Sequence, residues 1–295
     1  MNTIKPSLAS SLFPVGLLLI AMASIQSGAS LAKQLFPLIG PQGTTTLRLL
    51  FASLVMLLLL RPWRARFNAA SLRSVVVYGI SLGCMNLMFY MSLRTVPLGI
   101  AVALEFTGPL VVALYGSRRA IDFAWIALAV LGLILLVPMG DAAAGIDLVG
   151  AGFALGAGAF WALYIVYGQK AGHDNGVQTA ALGVMIAALF VAPVGMVHAG
   201  AALLNPALIP LGIGVAILST ALPYSLEMVA LTRLPARTFG TLMSIEPAFG
   251  ALSGLLFLHE VLSVTQWLAI ASIIGASVGA TLTLRKDSAP AVAMD

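Results

Sequence analysis

Four ionisable side chains stand inside stretches otherwise apolar enough for lipid: Arg48, Glu105, Glu227 and Glu246. A charge at membrane depth costs at least a few kcal/mol, about 2.5–3.5 on insertion scales, so such residues face a bundle interior or a cavity. One reading is a substrate or proton pathway. Another is a structural Arg–Glu pair, or a carboxyl kept neutral by hydrogen bonds. Glu227 has a further option, because one turn from a helix end it can snorkel to the interface. Desolvation disfavours the charged form of a carboxyl, so a buried glutamate can exchange a proton near neutral pH. A zwitterionic substrate would offer an ammonium to such a group and a carboxylate to Arg48 or to a helix N-terminus.

The neighbours of these residues suit a polar cavity. Trp161 and Tyr164 are three apart and share a helix face. Asn86, Tyr90 and Tyr224 fall near the expected midplane, as do Gln26, Ser219, Thr220 and Ser244. Pro109, Pro223 and Pro247 lie inside apolar runs, where each removes a backbone hydrogen bond and kinks its helix. Such kinks serve either a gating hinge or static packing. His173, His198 and His259 have no metal-ligand spacing, and no serine–histidine or cysteine–histidine set is placed for nucleophilic catalysis. Neither a metal nor a cofactor is expected. The run from Gly150 to Gly158 follows no strand and opens a membrane helix, so its small residues read as helix packing and not as a nucleotide loop. Cys84 stands alone, which excludes an intrachain disulfide.

The elements that must position these groups follow from composition. Hydrophobic residues are 60% of the 295, and charged residues only 8%, against about 25% in an average soluble domain. The lipid bilayer is therefore the main solvent. The net charge of +5 does not point to nucleic acid, because the basic residues sit in short loops and form no basic face. A crossing needs about 20 apolar residues. Runs of that kind lie at about 12–32, 42–60, 72–93, 98–116, 122–139, 147–169, 177–197, 208–231, 236–257 and 264–284. The first resembles a signal peptide, but the many spans after it favour an uncleaved helix. With the N-terminus inside, the cytoplasmic segments hold twelve Lys and Arg, and the outer loops hold only Lys33 and Arg94. Cytoplasmic loops carry that excess, so both termini are expected in the cytoplasm.

Two stretches repeat. Pro97–Pro109 reads PLGIAVALEFTGP, and Pro235–Pro247 reads PARTFGTLMSIEP, with each proline displaced by 138 residues. Lys33 and Lys170 are 137 apart, as are Ser24 and Trp161. Five spans per copy is an odd number, so the second copy enters the membrane in the opposite sense. The expected fold is an all-α membrane protein of ten transmembrane helices in two inverted five-helix repeats. Its parts are a cytoplasmic N-terminus over 1–11, repeats over 12–140 and 147–284, and a cytoplasmic tail over 285–295. In such folds the site lies near the midplane at the repeat interface. The two acids are not repeat equivalents, since 138 residues beyond Glu105 stands Met243. Glu246 is expected at the centre and Glu105 in the outward half of the pathway.

The segments AMASIQSGASLAKQLFPLIG, TVPLGIAVALEFTGPL, AILSTALPYSLEM and ALTRLPARTFGTLMSIEPA, with the lysine that closes the first run, resemble the drug/metabolite transporter superfamily, in particular its EamA-type members. The resemblance runs from about residue 14 to residue 286. It implies efflux of small amino acids, threonine and homoserine, across the bacterial inner membrane by a multi-pass carrier, with proton antiport by alternating access. It carries no assigned site residue over to this sequence. Many members have a tryptophan where Ser24 stands here, whereas its second-half counterpart Trp161 is present. Two alternatives remain at this point: a related exporter of another metabolite or a drug, and an intramembrane enzyme. The oligomeric state is not legible.

Overall fold

A computed structural model describes residues 8–65, 68–115, 120–136, 147–234, 239 and 242–285. The helices are α1 (Leu8–Ala32), α2 (Phe36–Leu60), α3 (Ala69–Ser92), α4 (Leu98–Glu105), α5 (Thr107–Leu114), α6 (Ala120–Leu136), α7 (Leu148–Asn175), α8 (Val177–Ala199), α9 (Ile209–Ala216), α10 (Leu222–Arg233), α11 (Glu246–Leu258) and α12 (Val264–Arg285). No strand occurs among the described residues. Among the described residues, five helical stretches are long and apolar enough to cross a membrane: Phe13–Leu60, Ser71–Ser92, Leu148–His173, Val177–Leu204 and Pro206–Arg233. Shorter apolar helices cover Leu98–Val112, Phe123–Gly132, Glu246–Leu258 and Val264–Ala276. The cytoplasmic placement expected for residues 1–7 and 286–295, and the expected helix start at 236–241, concern segments outside the described residues apart from Phe239.

Local chemistry sets most of the helix ends. The Asn68 side chain accepts from the Ser71 amide and starts α3. Asp147 accepts from Val149 and Gly150 and starts α7. Both serve as N-caps for amides that have no partner within the helix. Arg61, at φ 48, closes α2 in the left-handed region, and Gly176, at φ 49, lets α7 stop and α8 begin at once.

The second helix is kinked near its start. One turn over residues 36–39 precedes Gly40, and the segment that carries Arg48 opens at Pro41, one residue before the expected 42. Gly40 takes φ 66 and ψ 171 at the kink, a conformation open to a residue without Cβ. Arg48 is about two turns into that segment.

In lipid the hydrophobic effect does not drive helices together, so packing depends on close approach through small residues. A Cβ on Gly99 would lie 2.7 Å from the Ala251 backbone, and one on Gly83 would lie 3.3 Å from Ala187, which marks the crossings of α4 with α11 and α3 with α8. Large apolar side chains such as Leu58, Leu59, Phe190, Val197 and Leu256 remain on the outside, as a lipid-facing surface requires. The main packing pairs are α3 with α7, α2 with α8, α6 with α12, α3 with α8, α1 with α10, α4 with α11, α5 with α7, α1 with α11 and α4 with α7.

Candidate functional site

Arg48 is 2% exposed, and its partners explain how a guanidinium is held there. Nη1 donates to the Ser219 carbonyl at 3.2 Å and to Ser219 Oγ at 3.1 Å. Nη2 donates to Asn86 Oδ1. The guanidinium carbon lies 4.4 Å from the centre of the Tyr90 ring, a cation–π distance. The Ser219 carbonyl is available because Pro223, four residues on, has no N–H to donate. A π-helical turn over Ile217–Ala221 joins α9 to α10, and such turns recur at functional sites. Asn86 also accepts from Tyr224 Oη at 3.0 Å and donates through Nδ2 to the Leu82 carbonyl at 2.8 Å.

The carboxyls surround this network. Glu227 is 2% exposed and accepts from Tyr164 Oη at 2.9 Å. It does not snorkel. Tyr164 packs between Tyr78 and Tyr224, with ring centroids 5.0 and 6.0 Å away. Glu246 is 3% exposed, opens α11, and accepts from Gln26 Nε2 at 2.8 Å. Glu105 is 7% exposed and ends α4.

Each proline singled out in the sequence stands at a junction of helical segments. Pro109 follows the break at Phe106 between α4 and α5. It has no N–H for the Glu105 carbonyl four residues back. Pro223 sits just after the π turn, and Pro247 just after the tight turn Met243–Ile245 that leads into α11.

One cavity collects these groups. Its walls include Gln26, Arg48, Asn86, Glu105, Trp161, Tyr224, Glu227 and Glu246, with Ile25, Ala29, Met85 and Phe89 as the apolar part. Seven of the nine singled-out pathway residues therefore meet. Tyr90 and Tyr164 stand behind the wall, where they hold Arg48 and Glu227. Glu105 shares the cavity with Glu246 and does not occupy a separate outward compartment. The space open to the centre of a water molecule is about 30 Å³. A water needs roughly 10–15 Å³ by that measure, so this closed arrangement admits water but not an amino acid. Among the described residues, no group of three His, Cys, Asp or Glu side chains is gathered closely enough for a metal ion.

Sequence reasoning missed one pair. Glu260 binds Lys33 Nζ through Oε1 at 2.7 Å and accepts the Leu98 amide through Oε2 at 2.7 Å. It thereby caps the helix that carries Glu105 and ties it to the end of α1. His259, in the left-handed region at φ 55, turns the chain so that this carboxylate points back. The available signal was that Lys33, Pro97 and Glu260 all fall in loops assigned to one side.

Comparison with known proteins adds the lineage. The model of the EamA-like transporter family matches residues 148–282. The chain is 59% identical over 275 residues to the threonine/homoserine exporter RhtA of Escherichia coli (strain K12), covering 93% of each chain. It is 58% identical over 274 residues to the RhtA of Salmonella typhimurium (strain LT2), again covering 93% of each. A crystal structure described only as that of a protein aligns with a TM-score of 0.63 at 20% identity, covering 92% of this chain and 98% of the other; it shares the fold. On the extent of that identity, the chain belongs to the EamA-like transporter family.

Proposed function

We propose that this chain exports threonine and homoserine from the cytoplasm across the bacterial inner membrane. The carrier works by alternating access around the central cavity and exchanges protons at its glutamates. The similarity to exporters over 93% of the chain supplies the activity and excludes the enzyme reading. The observation that carries the mechanism is one buried cavity lined by Arg48, Glu105, Glu227 and Glu246. A small zwitterion suits that wall better than a hydrophobic drug does.

The packing supports two inverted five-helix halves with the boundaries 12–140 and 147–284. If each helical segment of the first half is exchanged for its counterpart in the second, the pairs map onto one another. The contact of α3 with α7 becomes that of α10 with α1, and the contact of α5 with α7 becomes that of α11 with α1. The contact of α3 with α8 becomes that of α9 with α2, and the α2–α8 and α6–α12 pairs map onto themselves. Asn86 and Tyr224, hydrogen-bonded to each other, are separated by the same 138 residues as the proline pairs. Contact between equivalent positions is what a two-fold axis in the membrane plane would produce.

The closed cavity must open to one side at a time. The breaks at Phe106 and Gly40 and the π turn before Pro223 give that motion its hinges. The test is efflux of labelled threonine and homoserine from proteoliposomes, with and without a pH gradient. Efflux accelerated by the gradient is expected. Efflux insensitive to the gradient removes proton coupling, and no efflux removes the exporter reading.

A further inference from the structure

The central cavity displays unpartnered groups of both polarities. Among its lining residues, three buried polar atoms have no hydrogen-bond partner: Arg48 Nε, Glu246 Oε2 and Gln26 Oε1. The first is a cationic donor, and the other two are acceptors, one of them on a carboxylate. Buried polar atoms are nearly always paired, because an unsatisfied one costs about 1–3 kcal/mol and more when charged. Three such atoms on the walls of one cavity suggest groups held ready for something the cavity receives.

Arg48 strengthens the case by what does not touch it. The ion pair found among the described residues is Lys33–Glu260, so no carboxylate neutralises Arg48 directly. Its contacts are a backbone carbonyl, a hydroxyl, an amide oxygen and an aromatic face. These fix the planar guanidinium in orientation without neutralising it. A buried cation without a paired anion is costly, and a carboxylate arriving on the Nε edge would relieve that cost. Arginine also suits this role by geometry, since its fork matches a carboxylate. On the opposite sign, Gln26 Nε2 fixes Glu246 Oε1 and leaves Glu246 Oε2 and Gln26 Oε1 as two acceptors. An ammonium has three donors and no acceptor, which is what two unpartnered acceptors call for.

We propose that Arg48 receives the α-carboxylate of the transported molecule, and that Glu246 with Gln26 receives its α-ammonium. The cavity is then selective for free α-amino acids. It discriminates against molecules that have lost either charge: amides and esters on one side, N-acylated amino acids on the other. This assignment rests on the exporter reading and adds to it the two recognition points. It also separates the acids by role: Glu246 touches substrate, and Glu105 and Glu227 remain for protons.

The test is equilibrium binding of labelled homoserine to the purified full chain in nanodiscs. Unlabelled homoserine, homoserine carboxamide and N-acetylhomoserine serve as competitors. The wild-type chain is expected to prefer homoserine to either analogue by at least tenfold. Arg48→Gln should weaken homoserine by about 10- to 150-fold, the range for a hydrogen bond to a charged group. It should leave the carboxamide within threefold of its wild-type value, so that the preference collapses. Glu246→Gln should do the same for the N-acetyl analogue and keep the preference over the carboxamide. Arg48→Lys retains the charge and should retain the carboxylate preference at reduced affinity, which keeps the test open if Arg48→Gln does not fold. The proposal is overturned if Arg48→Gln or Arg48→Lys weakens homoserine and carboxamide equally, or if the wild-type chain binds all three alike. Wild-type protein that binds neither homoserine nor threonine overturns the exporter reading itself.

Discussion

Gly158 on α7 touches the backbone that carries Glu105, and this contact gives a sharp test of how the site is built. A Cβ at Gly158 would lie 2.5 Å from the Glu105 carbonyl oxygen and 3.0 Å from Thr107 Oγ1. Ordinary contact begins at 3.4 Å, so Gly158→Ala requires the α4–α5 junction to retreat by about 0.9 Å. The crossing is close along its length, since a Cβ on Gly108 would in turn meet the Gly158 carbonyl. Two effects compete. Alanine in place of glycine inside a helix stabilises by about 1 kcal/mol. Overpacking a tight contact costs about 1–3 kcal/mol. The clash is with backbone, not with a flexible side-chain end, so overpacking should win. The expected net is a destabilisation of up to about 2 kcal/mol. The effect on transport should be larger, because a displacement near 1 Å at a positioned group can cost about 100-fold. The measurements are homoserine efflux from proteoliposomes and the thermal midpoint of the purified protein. A Gly158→Ala protein with raised Tm and wild-type efflux would show that helix propensity alone acts there, and the proposed dependence of Glu105 on this crossing would be refuted.

Other perturbations separate structure from transport. Tyr164→Phe removes the hydroxyl that donates to Glu227 and should lower stability by about 1–3 kcal/mol, read as a fall in Tm; an unchanged Tm would mean that water replaces the contact. Glu260→Ala should lower Tm more than Lys33→Met does, because the pair alone contributes about 0–1 kcal/mol, whereas the glutamate also caps the Leu98 amide; equal effects would leave the cap without weight. At Asp147 the backbone amide of Val149 holds the carboxyl below its usual value, with Thr95 and Gly150 adding to the effect. A group whose folded-state pKa is depressed stabilises above its unfolded pKa and loses that contribution as pH falls through the folded value. Amide exchange at Val149 and Gly150 should therefore accelerate, relative to the rest of α7, only below about pH 4, and Asp147→Ala should show the faster exchange at neutral pH.

Much of this protein was legible before any coordinate. A chain with 8% charged residues has few places to put them, so each acid inside an apolar run stood out as a candidate. The transporter character and the family followed from the same segments. Other features were hidden for physical reasons. Pro37 lies before the expected second run, yet it opens a helical turn that the kink at Gly40 joins to the rest of α2. The π turn at Ile217–Ala221 has no periodicity of its own, so the carbonyl offered to Arg48 was not visible. Glu260 did not stand out, because nothing local shows that it folds back onto Lys33 and Leu98. Gln26 was noted only as a polar residue near the midplane, and its pairing with Glu246 bridges 220 residues of chain.

The central claim is that the buried carboxyls carry out transport and are not mere packing. Homoserine efflux driven by a pH gradient, from proteoliposomes holding a Glu105→Gln, Glu246→Gln double variant with confirmed insertion and Tm, tests it most directly. The account predicts efflux at the level of protein-free vesicles. Efflux at the wild-type rate would contradict it.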